Sequence, residues 1–299
     1  MKAESLLIQT RRLLRQSKLR AKKGLGQHFL IDDEVLKLII STAKLTPADV
    51  ILEIGPGLGT LTKELAKQAG WVEAIELDSK LAAILEQSLA SLDNVTIINQ
   101  DILKIDPTAL LKEQKTRFPT QVNPLSYKVV ANLPYYITSP ILRHFLEASV
   151  KPQIMVIMLQ KEVAEAIVAE PGRMSVLSIS VQFYGEPSII SYVPAQCFYP
   201  APEVDSAVLK IKPYPQPAVA VTDESSFFEL VRAGFTATRK QIANSLAQGM
   251  GISKAEVLSL LAEASIVPQR RAETLTLDEW ARLWQTFTRG KYADSSGTG

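Results

Sequence analysis

The chain is 299 residues long, nearly half apolar and about a fifth charged, an ordinary globular composition with enough chain for one large and one small domain. Its single cysteine, Cys197, excludes an intrachain disulfide, and two histidines, His28 and His144, are too few to anchor a metal without carboxylate help. No apolar run is long enough to cross a membrane and no N-terminal apolar segment with a small-residue cleavage site is seen, so the expectation is a cytoplasmic protein with no membrane and no metal.

The net charge of +2 hides an asymmetry. Residues 1–23 carry Lys2, Arg11, Arg12, Arg15, Lys18, Arg20, Lys22 and Lys23 against Glu4 alone, eight charges against one, so this arm is +7 and the other residues sum to −5. A basic arm on a mildly acidic body suits a polyanion, and Arg11, Arg12, Lys22 and Lys23 are candidate RNA contacts. A solvated, frayed terminus would carry the same charges.

In chain order, Leu6, Leu7, Leu13 and Leu14 interleaved with arginines predict an amphipathic basic helix. A glycine-bearing loop, 23–30, precedes a helix over 34–45 that Asp32 or Asp33 can cap. Residues 50–54 predict a buried parallel strand, followed by the turn Gly55-Pro56-Gly57-Leu58-Gly59 and a helical pattern through Leu61, Leu65 and Ala66. Strand, glycine turn and helix open a doubly wound α/β sheet, and such a turn is where a cofactor sits, because glycine lets the backbone approach a ligand closely. The glycines at 55, 57 and 59, with Thr60 next, miss the G-x-G-x-x-G frame of dinucleotide sites. Glu53 precedes the first glycine, and Glu76 ends the next strand about 20 residues on, where a ribose-binding carboxylate belongs. E-x-G-x-G with that second acid looks like the S-adenosylmethionine site of Rossmann-like methyltransferases; a dinucleotide site or a plain structural turn is the alternative.

Further strands are expected at 71–76, 95–98, 127–131 and 154–159, with helices at 79–89, 109–115, 139–149 and 161–169. The stretch 174–184 is ambiguous by periodicity and is read as helix. Two last strands fall at 188–193 and 206–212, separated by a segment, 194–203, too rich in proline for regular structure. After the Pro213-Tyr214-Pro215-Gln216-Pro217 linker the pattern is helical throughout, with capping boxes at Ser253 to Glu256 and Thr276 to Glu279. The helix read over 239–248 is basic at its start, and the tail from Lys291 is small and polar and expected to be disordered.

The most specific feature is Asn132-Leu133-Pro134-Tyr135, just past the end of the 127–131 strand, on the side of an open sheet where ligands bind. An N-P-P-Y-like tetrapeptide there marks amino-methyltransferases. An exocyclic adenine amine is a poor nucleophile because its lone pair is delocalised into the ring. The Asn132 side-chain oxygen and the Leu133 carbonyl can accept its two hydrogens, holding the lone pair toward an electrophilic methyl group and stabilising the positive charge that develops on nitrogen. Tyr135 offers a face for base stacking, and Pro134 stiffens the turn. A strand-end turn with a capping Asn is the plainer reading. Phe198 is a candidate second aromatic wall, with a core phenylalanine as its alternative. Asp101 ends the 95–98 strand region and is placed either to accept from a cofactor adenine amine or to cap a turn.

Taken together, these segments resemble the KsgA-type 16S ribosomal RNA adenine dimethyltransferases, in the wider family that includes Dim and Erm enzymes. The matching elements run from Lys23 to Arg282. They are Leu25 to Leu30, the E-x-G-x-G turn, Glu76, Asp101, Asn132 to Tyr135, the segment Phe198-x-Pro200-x-Pro202-x-Val204-Asp205-Ser206, and Thr238-Arg239-Lys240 with Asn244-Ser245-Leu246. The resemblance implies S-adenosylmethionine contacts at His28, Leu30, Gly55, Gly57, Glu76, Asp101 and Asn132, and catalytic roles for Asn132, Leu133, Pro134, Tyr135 and Phe198. It implies dimethylation of N6 on two adjacent adenines near the 3′ end of 16S RNA, in the small (30S) subunit or its precursor, with Arg239 and Lys240 on the RNA. Two positions depart from the family pattern: His28 stands where Asn is usual, and Thr238 replaces the first of two adjacent arginines.

The expected architecture is α/β, a Rossmann-like S-adenosylmethionine-dependent methyltransferase sheet with a small C-terminal all-helical domain. The boundaries are a basic arm (1–23), the methyltransferase domain (24–213), a linker (214–222), an RNA-binding helical domain (223–290) and a tail (291–299). Nothing in the sequence demands more than a monomer. An Erm-like enzyme of large-subunit RNA and a non-catalytic RNA-binding assembly factor are the rival functions.

Overall fold

A computed structural model describes residues 4–17, 21, 26–113, 126–134 and 137–295. Its contacts divide the chain into two compact units, residues 1–164 with 186–213 and residues 165–185 with 214–299.

The first unit begins with α1 (Leu6–Gln16), β1 (Phe29–Leu30) and α2 (Asp33–Ala43). It continues through β2 (Val50–Ile54), α3 (Thr60–Ala66), β3 (Trp71–Glu76), α4 (Ser79–Ser88), β4 (Val95–Asn99), α5 (Pro107–Glu113), β5 (Tyr127–Asn132), α6 (Thr138–Leu146) and β6 (Met155–Gln160). The helices α7 (Lys161–Ile167) and α8 (Val176–Tyr184) lead to β7 (Gly185–Val193), β8 (Phe198–Tyr199) and β9 (Ser206–Pro213). Seven strands form one sheet in the order β4-β3-β2-β5-β6-β9-β7, while β1 and β8 make a separate antiparallel pair. β2 lies parallel to β3 and to β5, with Ile54 opposite Ile75 on one side and Ala131 on the other. β6 takes β9 antiparallel, from Met155 opposite Ile211 to Gln160 opposite Ser206.

The apolar runs explain the centre of this sheet. Every residue of β2 is buried, as expected of a parallel strand covered on both faces, and so its sequence is a run and not an alternation. Ile39, Ile40, Ile51, Leu65, Val130, Val156 and Val208 meet in one core cluster that joins α2 and α3 to the strands. From β2 the chain steps outward to β3 and β4, then returns to place β5 on the other side of β2. The connections leave the carboxyl ends of β2 and β5 in opposite directions and open a crevice there.

At the opposite end of the same two strands, Lys128 is buried. Its Nζ donates to the carbonyls of Ala43 (3.2 Å) and Lys44 (2.7 Å) and to Asp49 Oδ2 (2.9 Å). It therefore closes the C-terminal end of α2, where a cation complements the exposed carbonyls.

The second unit contains α8 together with α9 (Glu224–Gly234), α10 (Ile242–Met250), α11 (Lys254–Glu263) and α12 (Leu277–Ser295). Phe183, Tyr184, Phe227 and Phe228 pack ring on ring, Phe183 and Phe227 stacked at 5.1 Å. α9 and α10 approach so closely that a side chain at Gly249 would meet the Ala233 carbonyl at 2.5 Å. The capping boxes are present at both expected places: Ser253 and Glu256 bond reciprocally, as do Thr276 and Glu279.

Several elements differ from the sequence reading. The segment between β7 and β9 is not wholly irregular, because Phe198 and Tyr199 pair with Leu30 and Phe29. α6 begins at Thr138, which places Pro140 third in the helix; that is tolerated because first-turn N–H groups have no intrahelical acceptor. α10 begins at Ile242, so Arg239 and Lys240 occupy the turn before it and not its first turn. Residues 165–185 associate with the C-terminal helices, whereas the sequence reading draws one break, at 213. The α12 backbone stays helical to Ser295, beyond the Lys291 boundary expected for the tail.

Candidate active site

The crevice at the switch point is a cleft of about 1160 Å³, counting its open mouth. Its floor is the glycine turn. Gly55, Gly57 and Gly59 all take left-handed backbone conformations, with φ of +68°, +60° and +78°, which side chains other than glycine rarely adopt. Gly55 also lies against the strand end of β5: a Cβ there would sit 3.8 Å from the Asn132 carbonyl and from Pro134 Cδ. The two motifs thus abut because β2 and β5 are neighbours in register.

Glu76, the last residue of β3, reaches back over this turn. Its Oε2 accepts from the Gly57 N–H (3.2 Å) and its Oε1 from the Asp78 N–H (2.9 Å). Burial raises its pKa above the ordinary carboxylate range, while these N–H bonds pull the other way. Asn99 Nδ2 donates to the Glu76 carbonyl at 2.7 Å and fixes the strand end from β4. Asp101 lines the cleft and also caps a short turn, its Oδ1 accepting from the Leu103 N–H at 3.1 Å.

Asn132 closes the far wall. Its Nδ2 donates to the His28 carbonyl at 3.1 Å, which fixes the plane of the amide and leaves Oδ1 as its accepting atom. The Leu133 N–H donates to the Met158 carbonyl at 3.0 Å and anchors the turn on β6. The His28 ring donates through Nδ1 to the Pro200 carbonyl at 2.8 Å. The loop before β1 is therefore held from two sides, by Asn132 on the His28 carbonyl and by the His28 ring on the 198–200 segment. His28, Leu30, Gly55, Gly57, Glu76, Asp101, Asn132, Leu133 and Pro134 all line the one cleft.

Other expected site residues fall elsewhere. Phe198 is 3 % exposed and packs in the core cluster with Leu30 and Cys197; it is not among the lining residues. The register of the β1–β8 pair sets Phe198 opposite Leu30, which does line the cleft. Tyr135, Lys22 and Lys23 lie outside the described residues. Arg11 is exposed, its guanidinium over the Tyr199 ring at 5.0 Å, and Arg12 pairs with Glu4 at 2.8 Å. Arg239 and Lys240 are exposed in the second unit, Lys240 donating to Gln248 at 3.2 Å.

The lining also contains residues to which the sequence reading gave no role: Glu53, Leu77, Gln100 and Ile102. Glu53 carried a signal in the E-x-G-x-G spacing; the others depend on where β3 and β4 end. Three carboxyl groups (Glu53, Glu76 and Asp101) line the cleft, and no lysine or arginine does so among the described residues. The glycine-turn N–H of Gly57 already serves Glu76. An anionic pyrophosphate would find neither a cation nor that N–H, whereas a cationic ligand finds acidic partners. The residues therefore fit S-adenosylmethionine and do not fit a dinucleotide.

A doubly wound sheet, a glycine turn facing an acid at the end of the next strand, and an Asn-Leu-Pro turn at the switch point define a Rossmann-like methyltransferase. The model of the family described as "Ribosomal RNA adenine dimethylase" matches residues 18–288, and the chain belongs to that family. A Dehalococcoides mccartyi protein named "Ribosomal RNA small subunit methyltransferase A" is 50 % identical over 285 residues, covering 95 % of this chain and 94 % of its own. A Moorella thermoacetica protein of the same name is 44 % identical, covering 92 % of this chain and 95 % of its own. Among solved structures, the 23S rRNA methyltransferase ErmE is 28 % identical with a TM-score of 0.66, covering 87 % of this chain and 99 % of its own. A dimethyladenosine transferase from Plasmodium falciparum superposes with a TM-score of 0.72 at 23 % identity, covering 88 % and 98 %, and shows the shared fold.

Proposed function

We propose that the chain uses S-adenosylmethionine to dimethylate N6 of two adjacent adenines near the 3′ end of small-subunit ribosomal RNA. The observation that carries the reading is the Asn132 turn set against Gly55 at the switch point, with its amide nitrogen committed to the His28 carbonyl. His28, Leu30, Gly55, Gly57, Glu76 and Asp101 would hold the cofactor, Glu76 and Asp101 as acceptors. When bound, S-adenosylmethionine supplies an electrophilic methyl group. Asn132 Oδ1 and the Leu133 carbonyl accept the two hydrogens of the adenine amine, so the nitrogen lone pair is directed rather than left in conjugation with the ring. Both are acceptors, and they favour the positive charge that the amine nitrogen gains as its new bond forms. The amine nitrogen is the attacking atom, so no covalent link to the protein is needed. Tyr135 is assigned the stacking face for the base. The basic face of α1 and the Arg239–Lys240 turn are assigned to RNA phosphates, which position the substrate without reading its sequence.

The choice of subunit is supported by the relatives named for the small subunit, at 50 % and 44 % identity, against 28 % for the 23S enzyme. The test supplies unmethylated small and large subunits in parallel with radiolabelled S-adenosylmethionine and identifies the labelled nucleoside. Label as N6,N6-dimethyladenosine in the small subunit is expected. Label confined to the large subunit would replace this reading with the Erm-like one.

A further inference from the structure

We propose that Glu53 is a cofactor-binding residue of this cleft: its carboxyl group carries a proton before the cofactor arrives and releases it when a cationic group of the cofactor, ammonium or sulfonium, settles against it. The inference rests on the S-adenosylmethionine reading above.

Geometry carries it. Glu53 is the penultimate residue of β2, flanked by Ala74 of β3 and Val130 of β5. It lines the cleft yet is 1 % exposed, and its Oε2 is buried with no hydrogen-bond partner. The charged groups around it are mostly of its own sign. Glu76 faces it from the end of β3, with Asp78 just beyond, and Asp101 lines the same cleft from beyond β4. From α3 it meets the Thr62 hydroxyl, while Lys63 and Glu64 of that helix are partly exposed. The charged residues of α2, Asp33, Glu34 and Lys37, are exposed, and Lys128 of β5 is committed to Asp49 at the other end of the sheet. Among the described residues, His28 is the one basic side chain lining the cleft, and its Nδ1 is engaged by Pro200.

An ionised carboxylate in this position would face a second acid with no lysine or arginine beside it among the described residues, which is strongly unfavourable. Burial, reinforced by Glu76 and opposed by Thr62, accordingly pushes the Glu53 carboxyl up to about 8. A cation brought into the cleft reverses that balance. The Glu53 O–H bond breaks, its proton passes to the buffer, and the carboxylate keeps the electron pair and forms an ion pair with the ligand. A buried acid with a purely structural role would stay protonated throughout and release nothing.

The test is titration calorimetry of the full chain with S-adenosylmethionine in phosphate and in Tris, buffers of different ionisation heat, from about pH 6 to 9. The expected result is release of about one proton near pH 7, and an affinity that rises nearly tenfold per unit between about pH 6 and 7.5. Above about pH 8 affinity should fall as the amino group of the ligand loses its own proton. Glu53→Gln should bind with no release below pH 7.5 and a flat profile there, while Glu76→Gln should bind more weakly and still release the proton. S-Adenosylhomocysteine keeps the ammonium and lacks the sulfonium: release with both ligands assigns the ammonium, and release with S-adenosylmethionine alone assigns the sulfonium. Binding without proton release in the wild type, or release that persists in Glu53→Gln, would overturn the inference and leave the cofactor reading standing. Failure of both ligands to bind at any pH would bring down the two together.

Discussion

At the N-terminal ends of β2 and β5, Lys128 and Asp49 are buried with each other and with two carbonyls, so that each charge has its partners inside the protein. At the C-terminal end of β2 and of its neighbour β3, Glu53 and Glu76 are buried with no lysine or arginine lining their cleft among the described residues. The sheet is one continuous piece of backbone hydrogen bonding, and sequence length separates its two ends by only a few residues. What differs is whether the chain supplies the counter-charge. A buried group satisfied internally serves stability, and one left unsatisfied at the open end of a sheet is held for a ligand.

The comparison can be broken at either end. The largest effect on stability is expected from Lys128→Ala, which leaves Asp49 buried and unpaired. Breaking a buried pair this way costs about 3–5 kcal/mol, to be read as a shift in urea midpoint. Methyl transfer by the fraction that remains folded should change little, and a large loss of turnover in folded Lys128→Ala would blur the division between the two ends.

Glu76→Gln comes next. It weakens the acceptor that bridges the glycine turn and lines the cleft, and S-adenosylmethionine affinity should drop about tenfold, or ~1.4 kcal/mol, by calorimetry. Melting of the unliganded protein should stay level or rise, since the raised pKa of Glu76 marks a carboxylate held at a cost.

Glu53→Gln should stabilise the unliganded protein. The sign follows from a folded pKa of about 8 against an ordinary value of 4.5. Folding stability is fully present below the ordinary value and is lost as pH rises toward 8, because the unfolded chain releases a proton that the folded one retains. The variant should therefore match the wild type near pH 4 and exceed it by at least ~1 kcal/mol near pH 8. Equal melting temperatures across that range would contradict a protonated Glu53. The smallest effect is expected from Arg239→Ala in the second unit, a few-fold loss of RNA affinity with the salt slope reduced by about 1. A salt slope unchanged within error would remove Arg239 from the phosphate contacts.

Much of this was legible in the sequence because the decisive patterns are local. The buried run of β2, the three glycines, Glu76 at the end of its strand and the Asn132 turn each announce themselves within a few residues. α8 was readable once Ser175 is seen as its cap, bonded to Ser178. What was not legible depends on partners distant in sequence. The two-residue strands β1 and β8 carry no period of their own and exist because Phe29 and Leu30 meet Tyr199 and Phe198. That pairing also packs Phe198 into the core cluster beside Leu30. The place of residues 165–185 with the C-terminal helices is likewise fixed by contacts such as Phe183 against Phe227, and not by any break in composition. Arg239 and Lys240 sit ahead of α10, where a basic stretch reads as a helix start from sequence alone.

The most direct test of the account is methyl transfer by wild type and Asn132→Ala to small subunits lacking the modification, under single-turnover conditions, with melting recorded on both proteins. The account expects N6,N6-dimethyladenosine from the wild type, and a rate lower by about 10²-fold or more in the variant at unchanged melting temperature. Turnover by a folded Asn132→Ala at the wild-type rate would contradict the assignment of the Asn132 turn as the group that directs the adenine amine.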